Sequence, residues 1–346
     1  MATRFRTAPV RREGEDLVSL QDTLTGAEAL IWPGLGNNCI AARLPFSPSG
    51  RPDSPDSLDA LASPPTLADL RAHPAFWGIP LLFPFPSRVP RGEYTFEGRR
   101  YTMPRDFHGF ALDTPWRVVD TSADDHSARV TSILTSADHP ETLDGYPFPY
   151  EIEATHTLDP DGLRLGVRIT NAGQGNLPFG YGAHPYFRLP LGDRGTFGDC
   201  LIRVPARRRW DTRLTTALDA GEVPARDTLC PPAGSAGVPD LRGPLPLVEK
   251  VYNGVYTELE LTGGLVECSV ADPVNGVEAV MRATPNHPVV VVYTHAGAQS
   301  VCFEPWTCPP NVFNLAARGV PQHGLVVLAP GERWHGTMWL SLRPAT

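Results

Sequence analysis

Proline and glycine interrupt this chain so often, at 38 and 32 of 346 residues, that few uninterrupted windows are long enough for a helix of several turns. Short strands fit the windows that remain. The segment Leu163-Arg-Leu-Gly-Val-Arg-Ile-Thr alternates strictly, placing Leu163, Leu165, Val167 and Ile169 on one face and Arg164 and Arg168 on the other. Ile152, Ala154, His156 and Leu158 alternate in the same way, and Asp159-Pro-Asp-Gly supplies a turn between the two runs. This reads as a hairpin.

A longer series follows: 256–261, 265–271, 277–283, 289–294, 299–304, 325–328 and 334–342. Gly263-Gly264, Asp272-Pro273, Asn275-Gly276 and Asn286-His-Pro punctuate it. Many short strands with turn signals between them predict an all-β sandwich or barrel. Val289–Val292 is apolar on both faces, so a central, doubly covered strand is expected there. Two stretches break the rhythm, Phe46 to Pro74, with a short helical possibility at Leu67 to Ala72, and Val204 to Pro246, with the cluster Arg207-Arg208-Arg209. Both read as irregular excursions, the arginines as a solvated face. The strand pattern resumes after each, so one domain over 1–346 is expected.

A formal charge of −8 argues against a nucleic-acid footprint. The N-terminal residues lack an apolar run of secretory length and no stretch approaches a membrane span, so a cytoplasmic protein with no membrane partner is expected. Six cysteines without CxxC spacing signal neither zinc nor a disulfide framework and read as reduced core residues.

Two islands carry the chemistry. His184 lies in Phe179-Gly-Tyr-Gly-Ala-His-Pro-Tyr-Phe187, and Glu304 in Val301-Cys-Phe-Glu-Pro-Trp306. Each sets one proton-transfer group in an apolar, aromatic stretch. A carboxylate at the end of a buried strand is costly unless paired or functional, and desolvation raises its pKa toward the range of a base useful near neutrality. Taken alone, His184 is equally a hydrogen-bonded core histidine. Together the two could supply the general acid and base needed to open and reclose a sugar ring, facing each other across a pyranose-sized cavity. Two further candidates are His108, in Phe107-His-Gly-Phe110, and Arg88, which ends the proline-stiffened Pro84-Phe-Pro-Ser-Arg88 and could aim its guanidinium at sugar hydroxyls.

These motifs, with Trp77-Gly-Ile-Pro-Leu-Leu-Phe-Pro-Phe-Pro-Ser-Arg88 and Pro115-Trp116, occur in the order in which the chain resembles the aldose 1-epimerases, the galactose mutarotase-like proteins. The resemblance implies a β-supersandwich of antiparallel sheets with an open cleft and no cofactor or metal. It implies His184 as the acid protonating the ring oxygen and Glu304 as the base taking the anomeric hydroxyl proton. Arg88 and His108 would hold the sugar, and Glu249, followed by Tyr252, would stand where the family has a substrate-binding aspartate. Ser87 stands where the family often has asparagine, and Val291 where well-known members have glutamine.

The implied activity is interconversion of the α and β anomers of a free aldose, by a monomer or homodimer acting on a small-molecule sugar. A non-catalytic sugar-binding protein on the same fold is the alternative, although binding alone needs no matched donor and acceptor. Glycoside hydrolysis normally uses two carboxylates, and these islands offer one carboxylate and one histidine.

Overall fold

The fold was analysed in a computed structural model that describes residues 3–47, 56–210, 229–232, 240–247, 252–295, 297 and 299–345. The hairpin predicted from alternation is its backbone. Tyr150–Asp159 pairs with Gly162–Asn171 in the register Leu158 to Leu163, so Pro160 and Asp161 make the turn. Ile152, Ala154, His156, Leu158 and their partners Leu163, Leu165, Val167 and Ile169 are all buried.

That hairpin sits inside a ten-stranded sheet, flanked on one side by Ala128–Thr135 and Arg117–Ala123. On the other side lie Arg333–Pro344, Val277–Ala283 and Leu265–Asp272. All named strand pairs among the described residues are antiparallel. A five-stranded meander from Phe5–Arg12 to Asp56–Asp59 packs on the ten-stranded sheet. Its last strand lies within the stretch read from sequence as an irregular excursion. Asp56–Asp59 is too short for alternation to register, and it is extended by pairing with Asn38–Phe46. The helix Leu67–Ala72 is present, its first turn capped by the Thr66 hydroxyl accepting from the Asp69 N–H at 3.0 Å.

A third, eight-stranded sheet positions the candidate site. Its central strands are Asn253–Leu259, Val289–Tyr293 and Ser300–Trp306, with Gly182–Ala183 and Leu81–Leu82 beyond them. Val290, Val292, Val301 and Phe303 point into one core cluster that extends from Phe5 to Leu340. Val289, Val291 and Trp306 point the opposite way, into a smaller cluster with Leu82 and Leu112. The valine run is therefore covered on both faces.

In the second excursion, Ala206–Trp210, Leu229–Pro232 and Leu245–Pro246 add edge strands to the two larger sheets. Arg207 and Arg208 are exposed and pair with Glu260 at 2.8 Å and Glu258 at 3.0 Å, as a solvated face would. Five of the cysteines, Cys39, Cys200, Cys268, Cys302 and Cys308, are free and buried. No helix among the described residues is long and apolar enough to cross a membrane.

Candidate active site

Strand alternation decides which side chains of Ser300–Trp306 share a face. Val301 and Phe303 enter the main core, so Cys302, Glu304 and Trp306 project to the other side. Cross-strand pairs put Glu304 beside Val291, and Trp306 beside both Val289 and Gly182. Glycine is required at 182, because a Cβ there would stand 2.4 Å from Cδ1 of the Trp306 ring. The chain then crosses the sheet edge at His184, whose N–H donates to Pro80 O at 3.0 Å, and pairs again at Tyr186 with Cys302.

This route brings the two islands into contact. Nε2 of His184 lies 3.3 Å from Oε1 of Glu304, with side chains only 6% and 2% exposed. The pair does not face itself across a sugar-sized gap, as expected from the sequence; the imidazole and the carboxyl touch. The register of Tyr186 against Cys302 and of Gly182 against Trp306 fixes that arrangement, and it joins residues more than a hundred positions apart. Adjacent groups suit the anomeric centre, because the ring oxygen and the anomeric hydroxyl are bonded to the same carbon.

Burial dominates the electrostatics. It holds the Glu304 carboxyl well above the usual carboxylate range, opposed in part by the Trp306 indole on the same face, although that N–H makes no hydrogen bond of normal geometry. Burial also holds His184 well below its ordinary value, and the neighbouring His108 pushes it the same way. Oε2 of Glu304 and Nδ1 of His184 have no hydrogen-bond partner among the described residues. Buried polar atoms are nearly always paired, so two orphans in one site are places for a ligand's hydroxyls.

Tyr186 and His108 frame the imidazole. The Tyr186 ring stacks on that of His184, and its hydroxyl lies 3.4 Å from Nε2 while donating to Ala75 O at 3.0 Å. Ring centroids of His108 and His184 are 5.7 Å apart, edge to face, and those of His108 and Trp306 are 6.3 Å apart. His108 has φ 57° and Ser87 φ 58°, left-handed conformations unusual for residues other than glycine. They lock together: His108 N–H donates to Ser87 O at 2.7 Å, and Ser87 N–H donates to Nδ1 of His108 at 3.0 Å. With Nδ1 accepting, the neutral ring carries its proton on Nε2. Burial first, and Arg88 second, push the His108 pKa down to about 3, so this ring is a neutral donor.

Arg88 lies at the partly exposed rim. Its guanidinium sits 4.9 Å from the centroid of the Phe107 ring and 3.6 Å from Asp106. Phe107 is 42% exposed, and Tyr293, edge-on to His184 at 5.9 Å, is half-buried. Glu249 lies outside the described residues. Tyr186 and Tyr293 are neighbours of the acid–base pair that sequence reasoning missed as site residues; the signal was the period-two spacing of Tyr186 from His184.

Together these features define an antiparallel β-sandwich of the galactose mutarotase type with a buried histidine–glutamate pair. The fold superposes on a galactose mutarotase-like protein from Clostridium acetobutylicum with a TM-score of 0.82, at 19% identity and with 99% of each chain covered. It also superposes on the GalM/aldose epimerase homologue from C. elegans at TM-score 0.67 and 15% identity, covering 99% of this chain and 100% of that one. The chain belongs to the aldose 1-epimerase family, whose sequence profile matches residues 52–341. Two Escherichia coli K12 relatives, the uncharacterized proteins YihR and YphB, are 24% and 25% identical over 68% and 72% of this chain, and over 71% and 79% of their own lengths.

Proposed function

We propose that the protein is a mutarotase that interconverts the α and β anomers of a free aldose by general acid–base ring opening and reclosure. The contact between His184 and Glu304 carries this reading. Burial disfavours both the doubly protonated and the fully deprotonated pair, so the two groups hold one proton between them over a wide pH range. Ring opening needs that inventory: one group gives a proton while the other takes one.

In the reading offered here, the sugar's anomeric hydroxyl donates to Glu304, whose unpaired Oε2 is available to accept. Hydrogen bonds to a carboxylate favour its ionised form, which leaves the shared proton on His184. His184 then protonates the ring oxygen as Glu304 takes the anomeric proton. The C1–O5 bond breaks and the C1=O1 bond forms, giving the open-chain aldehyde. Rotation about C1–C2 presents the other carbonyl face, and reclosure with the proton transfers reversed inverts C1 and restores the pair.

His108, a neutral donor through Nε2, and Arg88, with its forked donors, are assigned to sugar oxygens. Glu249 is assigned as a third contact by its place in the family pattern. Polarimetry of freshly dissolved α-D-glucose and α-D-galactose, with and without protein, tests the proposal. Accelerated equilibration supports it. Saturable sugar binding with equilibration at the spontaneous rate would replace it with the non-catalytic sugar-binding alternative.

A further inference from the structure

A cavity of about 330 Å³ lies between the turn Pro90–Gly92, the hairpin of Glu93–Phe96 with Arg99–Thr102, and the helix Val312–Ala317. Neither His184 nor Glu304 lines it. Its wall carries three guanidiniums, Arg91, Arg100 and Arg318, and one carboxylate, Glu93. That carboxylate is committed to Arg91 at 3.0 Å, and no ion pair engages Arg100 or Arg318 among the described residues. In a chain of net charge −8, such a concentration of positive charge around one cavity is unexpected.

A further donor in the lining is Nδ2 of Asn311. Asn311 is 1% exposed, adopts φ 61°, and makes no side-chain capping bond to the helix it precedes. The Asn314 amide group spends both of its hydrogens, one on Glu93 O at 2.9 Å and one on Asn311 Oδ1 at 2.7 Å. This fixes which way the Asn311 carboxamide is turned and leaves its own Nδ2, in the cavity wall, donating to nothing among the described residues.

We infer that this cavity is an anion site, built to take the phosphate group of a small metabolite. The three guanidiniums and the Asn311 amide are all donors, and a phosphate supplies several acceptor oxygens with the opposite charge. Beside them Tyr101 stacks on Tyr94, centroids 5.1 Å apart and 21° from parallel, and gives a flat wall for the ring that bears the phosphate. The site also adjoins the sugar-binding loop, because Asn311 N–H donates to Arg88 O at 2.9 Å.

Isothermal titration calorimetry with inorganic phosphate, against chloride at matched ionic strength, tests this directly. The full chain is expected to bind one phosphate saturably, and Arg100→Ala combined with Arg318→Ala to weaken that binding by about tenfold or more, since each removed charge-assisted contact is worth about that factor. Both arginines are exposed, so the double variant keeps its fold. Glucose 6-phosphate and AMP, titrated in parallel, identify the attached ring by whichever binds more tightly than phosphate itself. Absence of saturable binding, or unchanged binding in the double variant, overturns the inference. So does loss of phosphate binding in Glu304→Gln, which would place the anion at the acid–base pair; intact binding in that variant keeps this site separate from the proposed sugar chemistry.

Discussion

The imidazole of His184 and the phenol of Tyr186 lie parallel, 3° apart in plane, with ring centroids 4.5 Å apart. The Tyr186 hydroxyl spends its proton on Ala75 O, so its oxygen can only accept at Nε2 of His184. Tyr186 thus fixes the imidazole plane through its ring and favours the protonated nitrogen through its oxygen. Tyr186→Phe keeps the stack and loses about 1 kcal/mol of hydrogen bonding, lowering the rate of anomer exchange roughly fivefold to tenfold with little change in melting temperature. Tyr186→Ala removes the ring as well and destabilises the protein by about 3–5 kcal/mol. Exchange rates and thermal melts on the two variants separate the two roles.

The pH profile of anomer exchange follows from the same burial. Ordinary carboxyl and imidazole groups would share a single proton only between about pH 4.3 and 6.5. Here Glu304 is raised and His184 lowered, so the one-proton form, the proposed active one, spans neutral pH. The protein-dependent rate stays level through pH 7, falling in acid as His184 takes a second proton and in alkali as the pair loses its only one. A narrow optimum near pH 5.5 would contradict the proposed protonation state, and stopped-flow polarimetry corrected for the spontaneous rate measures it.

His156 should dominate part of the acid sensitivity of the fold. It is fully buried beside Val130 and Leu165, neither ring nitrogen has a partner among the described residues, and burial pushes its pKa down to about 4. The folded value is below the unfolded one, so the stability it contributes is complete above about pH 6.5 and is lost as pH falls toward 4. At about 1.4 kcal/mol per pH unit, that is a loss of about 3 kcal/mol by pH 4.5. His156→Leu is expected to be as stable as the parent or more so at pH 7, and to lose less on acidification. Urea unfolding at pH 7 and pH 4.5 checks both.

Gly182→Ala tests the packing beneath the pair. The added Cβ meets Trp306 at 2.4 Å, and moving that ring disturbs the face that Glu304 shares with it. Overpacking of this kind costs about 1–3 kcal/mol of stability. Activity is expected to fall further than stability, as seen by comparing the anomer exchange rate with the urea midpoint.

Half of the ten-stranded sheet, from Tyr150–Asp159 and Gly162–Asn171 to Leu265–Asp272, Val277–Ala283 and Arg333–Pro344, could be read from the chain, because strict alternation and turn pairs such as Asn275-Gly276 are local signals. Val277–Ala283 matches the predicted boundaries and Leu265–Asp272 differs by one residue at one end, as does Val289–Tyr293 in the eight-stranded sheet. Asp56–Asp59 was hidden because its extension depends on a partner strand and Leu58 is its only apolar residue. The residues of the site were visible as motifs, whereas their contact was not. Which atoms of His184 and Glu304 meet depends on the register between Tyr186–Arg188 and Ser300–Trp306, a long-range pairing that no local pattern encodes. Nor could the sequence show that Nδ1 of His108 accepts from Ser87, since that follows from two left-handed backbone positions.

Two-dimensional exchange NMR on equilibrated D-galactose and D-glucose, with wild-type protein, Glu304→Gln and His184→Ala at equal concentration, tests the central claim most directly. The account predicts α–β exchange cross-peaks with the wild-type protein, and rates lower by about 100-fold or more in each variant, the usual worth of a positioned acid or base, with circular dichroism unchanged. Exchange near the wild-type rate in either variant would contradict it.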